Sequence, residues 1–257
     1  LAVLGGGMLP PPPTEIASIM PGGKIERWPG GPYLAPRFSP DGTRLAVVVV
    51  GGTSLIDSRS HLATELVRNL IFPVWKADGT GVIAADNSAN QALSEVSLDG
   101  TVSRNRIATS KHLLWPSSVS RDGKWLAYVE TNPVTGNDVW VASVKGEARP
   151  IVVANTPASE THPAFSPDGK WIVYAIADSG SPALYVRAFP GSGRAEKISP
   201  SGIAPIWADD GRSLFFARRV PSQVGEAELL RASVEVNGDR FRLGREQVIA
   251  TGPMGWG

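Results

Sequence analysis

Apolar residues in this chain fall in short blocks separated by tight turns, and Thr161–Ala175 shows the pattern in full. A short apolar strand ending at Phe165 leads into Ser166-Pro167-Asp168-Gly169, which reads as a type I turn. Pro at the second position pre-sets φ, Asp suits the third, and Gly takes the left-handed conformation that follows. The next block, Trp171-Ile172-Val173-Tyr174-Ala175, is β-branched, aromatic and apolar, as in a strand buried on both faces. The unit predicted is a β-hairpin.

The hairpin repeats. With the Gly after the turn as reference, the pattern ends at Gly42, Gly79, Gly123, Gly169 and Gly211, at spacings of 37, 44, 46 and 42 residues. A large apolar residue stands four before each Gly: Phe38, Trp75, Val119, Phe165 and Trp207. Another stands three after it: Leu45, Val82, Leu126, Ile172 and Leu214. A single Asp-Gly would mark only a hairpin, but five in register with matched apolar positions define a repeat. Strand-type units at a period in the low forties indicate a β-propeller, with one four-stranded blade per repeat. Third and fourth strands are also legible: Ala183–Phe189 and Glu196–Ile198 flank Pro190–Gly193, while Asp99-Gly100 and Asn237-Gly238 join such pairs elsewhere. No segment predicts a long helix. His61–Leu70 has a helix-tolerant composition but suits the passage from a third to a fourth strand.

These elements predict one all-β domain over residues 1–257. Its blades are expected at 34–70, 71–112, 113–156, 160–201 and 203–250. The ends are expected to form one closing blade, with 1–28 giving its outer strands and 251–257 its first strand, so that no sheet edge stays open. The expected fold is a six-bladed propeller of four-stranded antiparallel blades, with a seven-bladed or incomplete ring as the alternative.

Composition refines this reading. The 28 Gly and 22 Pro suit a chain that needs several turns per blade. A net charge of +1 without a basic stripe argues against nucleic acid or anionic membrane as partner. Cysteine is absent, which rules out disulfides and thiolate metal sites. No run reaches the roughly 20 apolar residues of a membrane span, so no membrane insertion is expected. The opening Leu1–Pro13 lacks an initiator Met, a basic region and a long apolar core. It is read as no signal peptide, and the chain as a piece of something longer.

Phe165–Tyr174, with its Ser-Pro-Asp-Gly turn, resembles the TolB-type (PD40, WD40-like) propeller repeat. Asp178–Gly191 followed by Ile206–Phe216 is similar to the propeller region C-terminal to many bacterial serine/threonine protein kinases. The likeness covers residues 15–257. It implies a TolB-like fold, a periplasmic or extracytoplasmic setting, and either a sensor region of a receptor-type kinase or a protein–protein adaptor.

Catalytic signatures are missing: there is no Gly-x-Ser-x-Gly elbow, phosphate loop, His-Glu-x-x-His or kinase motif. His162 enters a first strand, the strand that lines the channel of a propeller, with Glu160 nearby; the pair is a candidate ligand site or acid/base. A polar residue beside a turn is the simpler reading. Trp115 and Trp140 are candidate stacking surfaces, or core. Asp86, Ser88 and Asn90 place oxygens at alternate positions, as a calcium loop does, but lack the Gly and closing Glu of one. Asp41, Asp78, Asp122, Asp168 and Asp210 recur with their glycines in every turn, which predicts a structural role.

The function expected is therefore a non-catalytic module, without cofactor, that binds a protein, a peptide or a small ligand at the channel mouth. The alternatives are a hydrolase or lyase with a metal-assisted channel site, and the propeller part of a propeller-peptidase.

Overall fold

The computed structural model describes residues 2–4, 16–19, 25–28, 31–86, 91–178, 180–191, 193–220 and 225–253. The chain divides into two compact units, one within residues 1–116 and one spanning 117–253.

In the first unit β1 (Ala2–Leu4), β2 (Ile16–Ile19) and β3 (Ile25–Trp28) form a three-stranded antiparallel sheet. A four-stranded blade follows: β4 (Leu34–Phe38), β5 (Arg44–Val49), β6 (Gly52–Asp57) and β7 (Ala63–Arg68). The next comprises β8 (Leu70–Trp75), β9 (Gly81–Asp86), β10 (Gln91–Ser97) and β11 (Val102–Ser110). Leu45, Ala46 and Val47 of β5 have no exposed surface, because β5 carries apolar residues on both faces. One face packs with Ile16 and Trp28, the other with Trp75 and Val82 of the next blade.

Three more blades follow. The third has β12 (Leu114–Val119), β13 (Trp125–Asn132), β14 (Gly136–Ser143) and β15 (Ile151–Ala154). The fourth has β16 (Ser159–Phe165), β17 (Trp171–Ala177), β18 (Ala183–Ala188) and β19 (Glu196–Ser199). The fifth has β20 (Ile203–Trp207), β21 (Ser213–Arg219), β22 (Glu226–Asn237) and β23 (Arg240–Pro253). Between the fourth and fifth, Trp171, Val173, Leu184, Val186, Leu214 and Phe216 form one cluster. At about 25 cal/mol per Å2 of apolar area, such fully buried side chains contribute roughly 1.5–3 kcal/mol each.

All-β architecture with four-stranded antiparallel blades is as expected, but the blade count is not. Among the described residues there are five four-stranded blades and one three-stranded sheet, so the six-bladed expectation, and its seven-bladed or incomplete alternative, are corrected to five. The first strand expected from 251–257 is where the reading fails. Thr251, Gly252 and Pro253 instead end β23, paired with Glu228, Ala227 and Glu226. β22 and β23, at 12 and 14 residues, are the longest strands among the described residues, and their ladder already engages this backbone. The remainder of that expected strand, 254–257, lies outside the described residues.

The first strands carry a feature the hairpin pattern did not predict. Ala35, Phe72, His162 and Ala204 have φ of 46°, 54°, 54° and 51°, and the register slips at each. Each stands seven before its turn Gly and directly before a Pro. A non-glycine residue held there costs about 1–3 kcal/mol, so the surrounding sheet must over-determine it. The following Pro has no N–H, so the bulge leaves one fewer backbone donor without a ladder partner. In the third blade Pro116 occupies the corresponding position, and its ring bars positive φ.

Candidate functional site

Repeated turns place the charged groups of the second unit. In the fourth blade Gly169 has φ +70°, and its N–H donates to Ser166 O at 2.9 Å. Asp168 Oδ1 accepts from Ser166 Oγ at 2.5 Å and from the Lys170 N–H at 3.1 Å. The Ser166 hydroxyl oxygen accepts from the Trp171 N–H at 3.0 Å, which sets where Trp171 leaves the turn. The fifth-blade turn lacks the Ser; there Asp210 Oδ1 accepts from the Arg212 N–H at 2.8 Å. In the first blade the Ser39 hydroxyl, then the Thr43 N–H, draw the Asp41 carboxyl down to about 2.

These turns frame a cavity of about 410 Å3 within the second unit. The third blade contributes Arg121, the fourth Ser166, Asp168 and Trp171, and the fifth Trp207, Asp209 and Asp210. Val234 and Val236 of β22 form an apolar wall. Arg121 Nη1 donates to the Asp209 carbonyl at 3.1 Å, linking the turns of the third and fifth blades. Phe241 lies 5.5 Å from the Trp171 ring and 5.8 Å from the Trp207 ring, so three aromatic rings form one cluster. Trp171 is buried and its Nε1 has no hydrogen-bond partner. The cavity thus combines aromatic and aliphatic surface with three carboxylates and one guanidinium.

None of the residues singled out as ligand-binding candidates lines this cavity. Glu160 and His162 lie toward the other end of β16 from Ser166, up to about 20 Å away at 3.3 Å per residue. Glu160 is fully buried, and its oxygens accept from the Thr156 hydroxyl and N–H. Burial pushes its carboxyl up, the Thr156 bonds oppose that, and the neighbouring Asp138 adds a smaller upward push. Trp140, in β14, sits opposite Tyr128 with its Nε1 buried and unpartnered. Trp115 packs 5.8 Å from Phe72 in the first unit. Asp86 ends β9, with Arg106 Nη1 at 4.0 Å; Ser88 and Asn90 lie outside the described residues.

Trp207, the large apolar residue four before Gly211, is half-buried: it packs against the core cluster of the fourth and fifth blades and also lines the cavity. The available signals were the doubled acid Asp209-Asp210, the Arg121 that replaces Pro in its turn, and Trp171 two after a turn Gly. They pointed nowhere until the blades were assembled.

The family model described as TolB beta propeller domain matches residues 81–244, well over half the chain. The chain belongs to the TolB β-propeller family. No curated protein matches it in sequence. Among solved structures it is similar to a putative TolB from Agrobacterium tumefaciens, at TM-score 0.72 and 18% identity over 91% of this chain and 87% of that one. TolB from Acinetobacter baumannii is similar at TM-score 0.74 and 16% identity, with 99% of this chain covering 63% of that one. An oligogalacturonate lyase in complex with manganese is similar at TM-score 0.57 and 14% identity, over 82% and 64% of the two chains. At these identities the likeness is one of fold, and the fold carries both TolB and a lyase.

Proposed function

We propose that this TolB-family chain is a non-catalytic binding module that docks a protein or peptide on the turn side of its second unit. The observation that carries the reading is the cavity built by three successive blades, with aromatic, aliphatic and charged groups converging on one space. Glu160, considered for channel chemistry, fits a structural role better, since both its oxygens are engaged by Thr156. By its resemblance to kinase-linked and TolB propellers, the module would serve as the sensor or interaction region of a bacterial receptor-type kinase, or as a TolB-like adaptor.

Peptide-display selection against the chain, followed by chemical-shift mapping of the selected binders, tests this. Shifts concentrated at Trp207, Asp209 and Val236 are expected. Binders that map wholly outside the cavity would overturn the reading.

A further inference from the structure

We propose that the first unit holds a carboxylate-binding site anchored by the Arg37 guanidinium. Arg37 lies in β4, and its partner across the ladder is Ala46 of β5. Cross-strand partners share a face of the sheet. The arginine stem therefore lies on the face where Ala46 packs with Leu66, Leu70, Trp75 and Val82 of the first two blades. That neighbourhood is apolar. Arg37 is only partly exposed, and burial, with no carboxylate to oppose it, pulls its pKa below the ordinary arginine value. The cation sits in a recess, not out in solvent.

Its hydrogen bonding leaves one edge of the guanidinium open. Nη1 donates to the neighbouring Pro36 carbonyl at 3.0 Å, and this side chain makes no other hydrogen bond or ion pair among the described residues. None of its nitrogens is a buried atom lacking a partner, so the unbonded Nε and Nη2 open onto accessible space. Arg218 shows what that edge does elsewhere in this chain: its Nε and Nη2 hold Glu228 Oε2 at 3.1 and 2.8 Å. The pKa of Arg218 is raised by that contact, whereas that of Arg37 is lowered. A recessed cation without a counter-charge is costly, and an anion that binds there removes the cost.

The repeat supplies an independent observation. Five before the turn Gly, the other blades carry Val74, Ser118, Ala164 and Ile206. A neutral residue therefore suffices for the hairpin at this position, and the charge of Arg37 is additional to it. No second cation acts on Arg37. One positive charge with one planar pair of donors matches a singly charged carboxylate better than a phosphate dianion. An acidic side chain or a chain terminus supplies such a group. The site lies in the first unit, so its test is separate from that of the cavity in the second.

The test uses the whole chain with labelled arginine, following the Arg37 Nε–H resonance by NMR. The probes are capped glycine peptides with one central glutamate or glutamine, a glycine peptide with a free C-terminal carboxylate, and inorganic phosphate. At least one carboxylate peptide is expected to move the resonance and to bind about tenfold more tightly than the glutamine peptide. The tighter of the two carboxylate peptides identifies the source; equal binding assigns the carboxylate whatever its source. Arg37→Lys, which keeps the charge but not the paired donors, should lose most of that affinity. Arg37→Met should abolish it and leave the thermal midpoint unchanged or higher.

A resonance unmoved by both carboxylate peptides, or glutamine binding as tight as theirs, would overturn the inference. Phosphate binding more tightly than both would overturn the assignment to a carboxylate. Unchanged affinity in Arg37→Lys would overturn the role of the paired donors. A large fall in the thermal midpoint of Arg37→Met would show that the guanidinium serves the fold instead.

Discussion

Trp75 Nε1 donates to the carbonyl of Arg37 at 2.8 Å, joining the first strands of two successive blades. The same relationship recurs between Trp207 Nε1 and the Ala164 carbonyl at 3.3 Å. In both cases the donor stands four before its turn Gly and the acceptor five before the preceding one. Where the repeat carries Phe165 rather than Trp, its backbone N–H donates to Ser118 Oγ at 3.1 Å. The large residue in the repeat therefore does more than fill space: when it is Trp, it hydrogen-bonds one blade to the next.

Trp75→Phe keeps most of the buried ring and removes the donor, so the expected loss is about 1 kcal/mol. Trp75→Ala removes the ring as well, and roughly 3–5 kcal/mol is expected. Urea unfolding measures both. A Phe variant as stable as the parent would show that the bond to Arg37 contributes nothing net.

Glu160 gives stability a definite pH dependence. Its carboxyl lies above the ordinary value of 4.5 in the folded chain, chiefly through burial. The folded state therefore holds the proton more tightly than the unfolded one. This contribution is fully present below the unfolded value and is lost as pH rises through the folded one. Asp138 and Tyr174 face the same charge, and Arg187 acts on Tyr174. Glu160→Gln should flatten the fall in thermal midpoint above about pH 4 and leave the neutral-pH midpoint unchanged or higher. A profile identical to that of the parent would contradict this.

Asp41 has the opposite sign. Its carboxyl titrates at about 2, below the ordinary 3.8, because the Ser39 hydroxyl and Thr43 N–H bond its charged form. The turn contributes stability above the unfolded value, and that contribution is lost as pH falls through the folded one. Carboxyl titration followed by NMR should show Asp41 still ionised at about pH 3. An Asp41→Asn chain should lose less stability than the parent between about pH 4 and pH 2.

Gly169 isolates the effect of backbone conformation, because no atom lies within 4 Å of where a Cβ would be added. Its φ is +70°, so Gly169→Ala should cost about 1 kcal/mol through the backbone alone. Gly180 also has open space but no positive φ, and Gly180→Ala should be neutral or slightly stabilising. Equal effects at the two sites would contradict the left-handed reading of the turn.

What the sequence determined by itself was the blade. The turn Asp accepts N–H groups two residues away, the turn Gly takes positive φ, and the apolar positions at minus four and plus three are set by strand alternation. Each of these is a local property, so the repeat made the four-stranded antiparallel unit legible. The X-Pro bulges were equally present in the letters, at Ala35-Pro36, Phe72-Pro73, His162-Pro163 and Ala204-Pro205. Left-handed backbone at a non-glycine residue is locally unfavourable, however, and only the sheet around it enforces it. Gly252-Pro253 reads like another such strand entry, yet pairing with Glu226 and Ala227 keeps it in β23, because a long ladder competes for the same hydrogen-bonding groups. The cavity was the least legible feature. Arg121, Asp168, Trp207 and Val236 lie in three blades, and no local rule links them. Only the packing of successive sheets brings them to one space, since the side chains that line it are set by contacts between repeats and not within them.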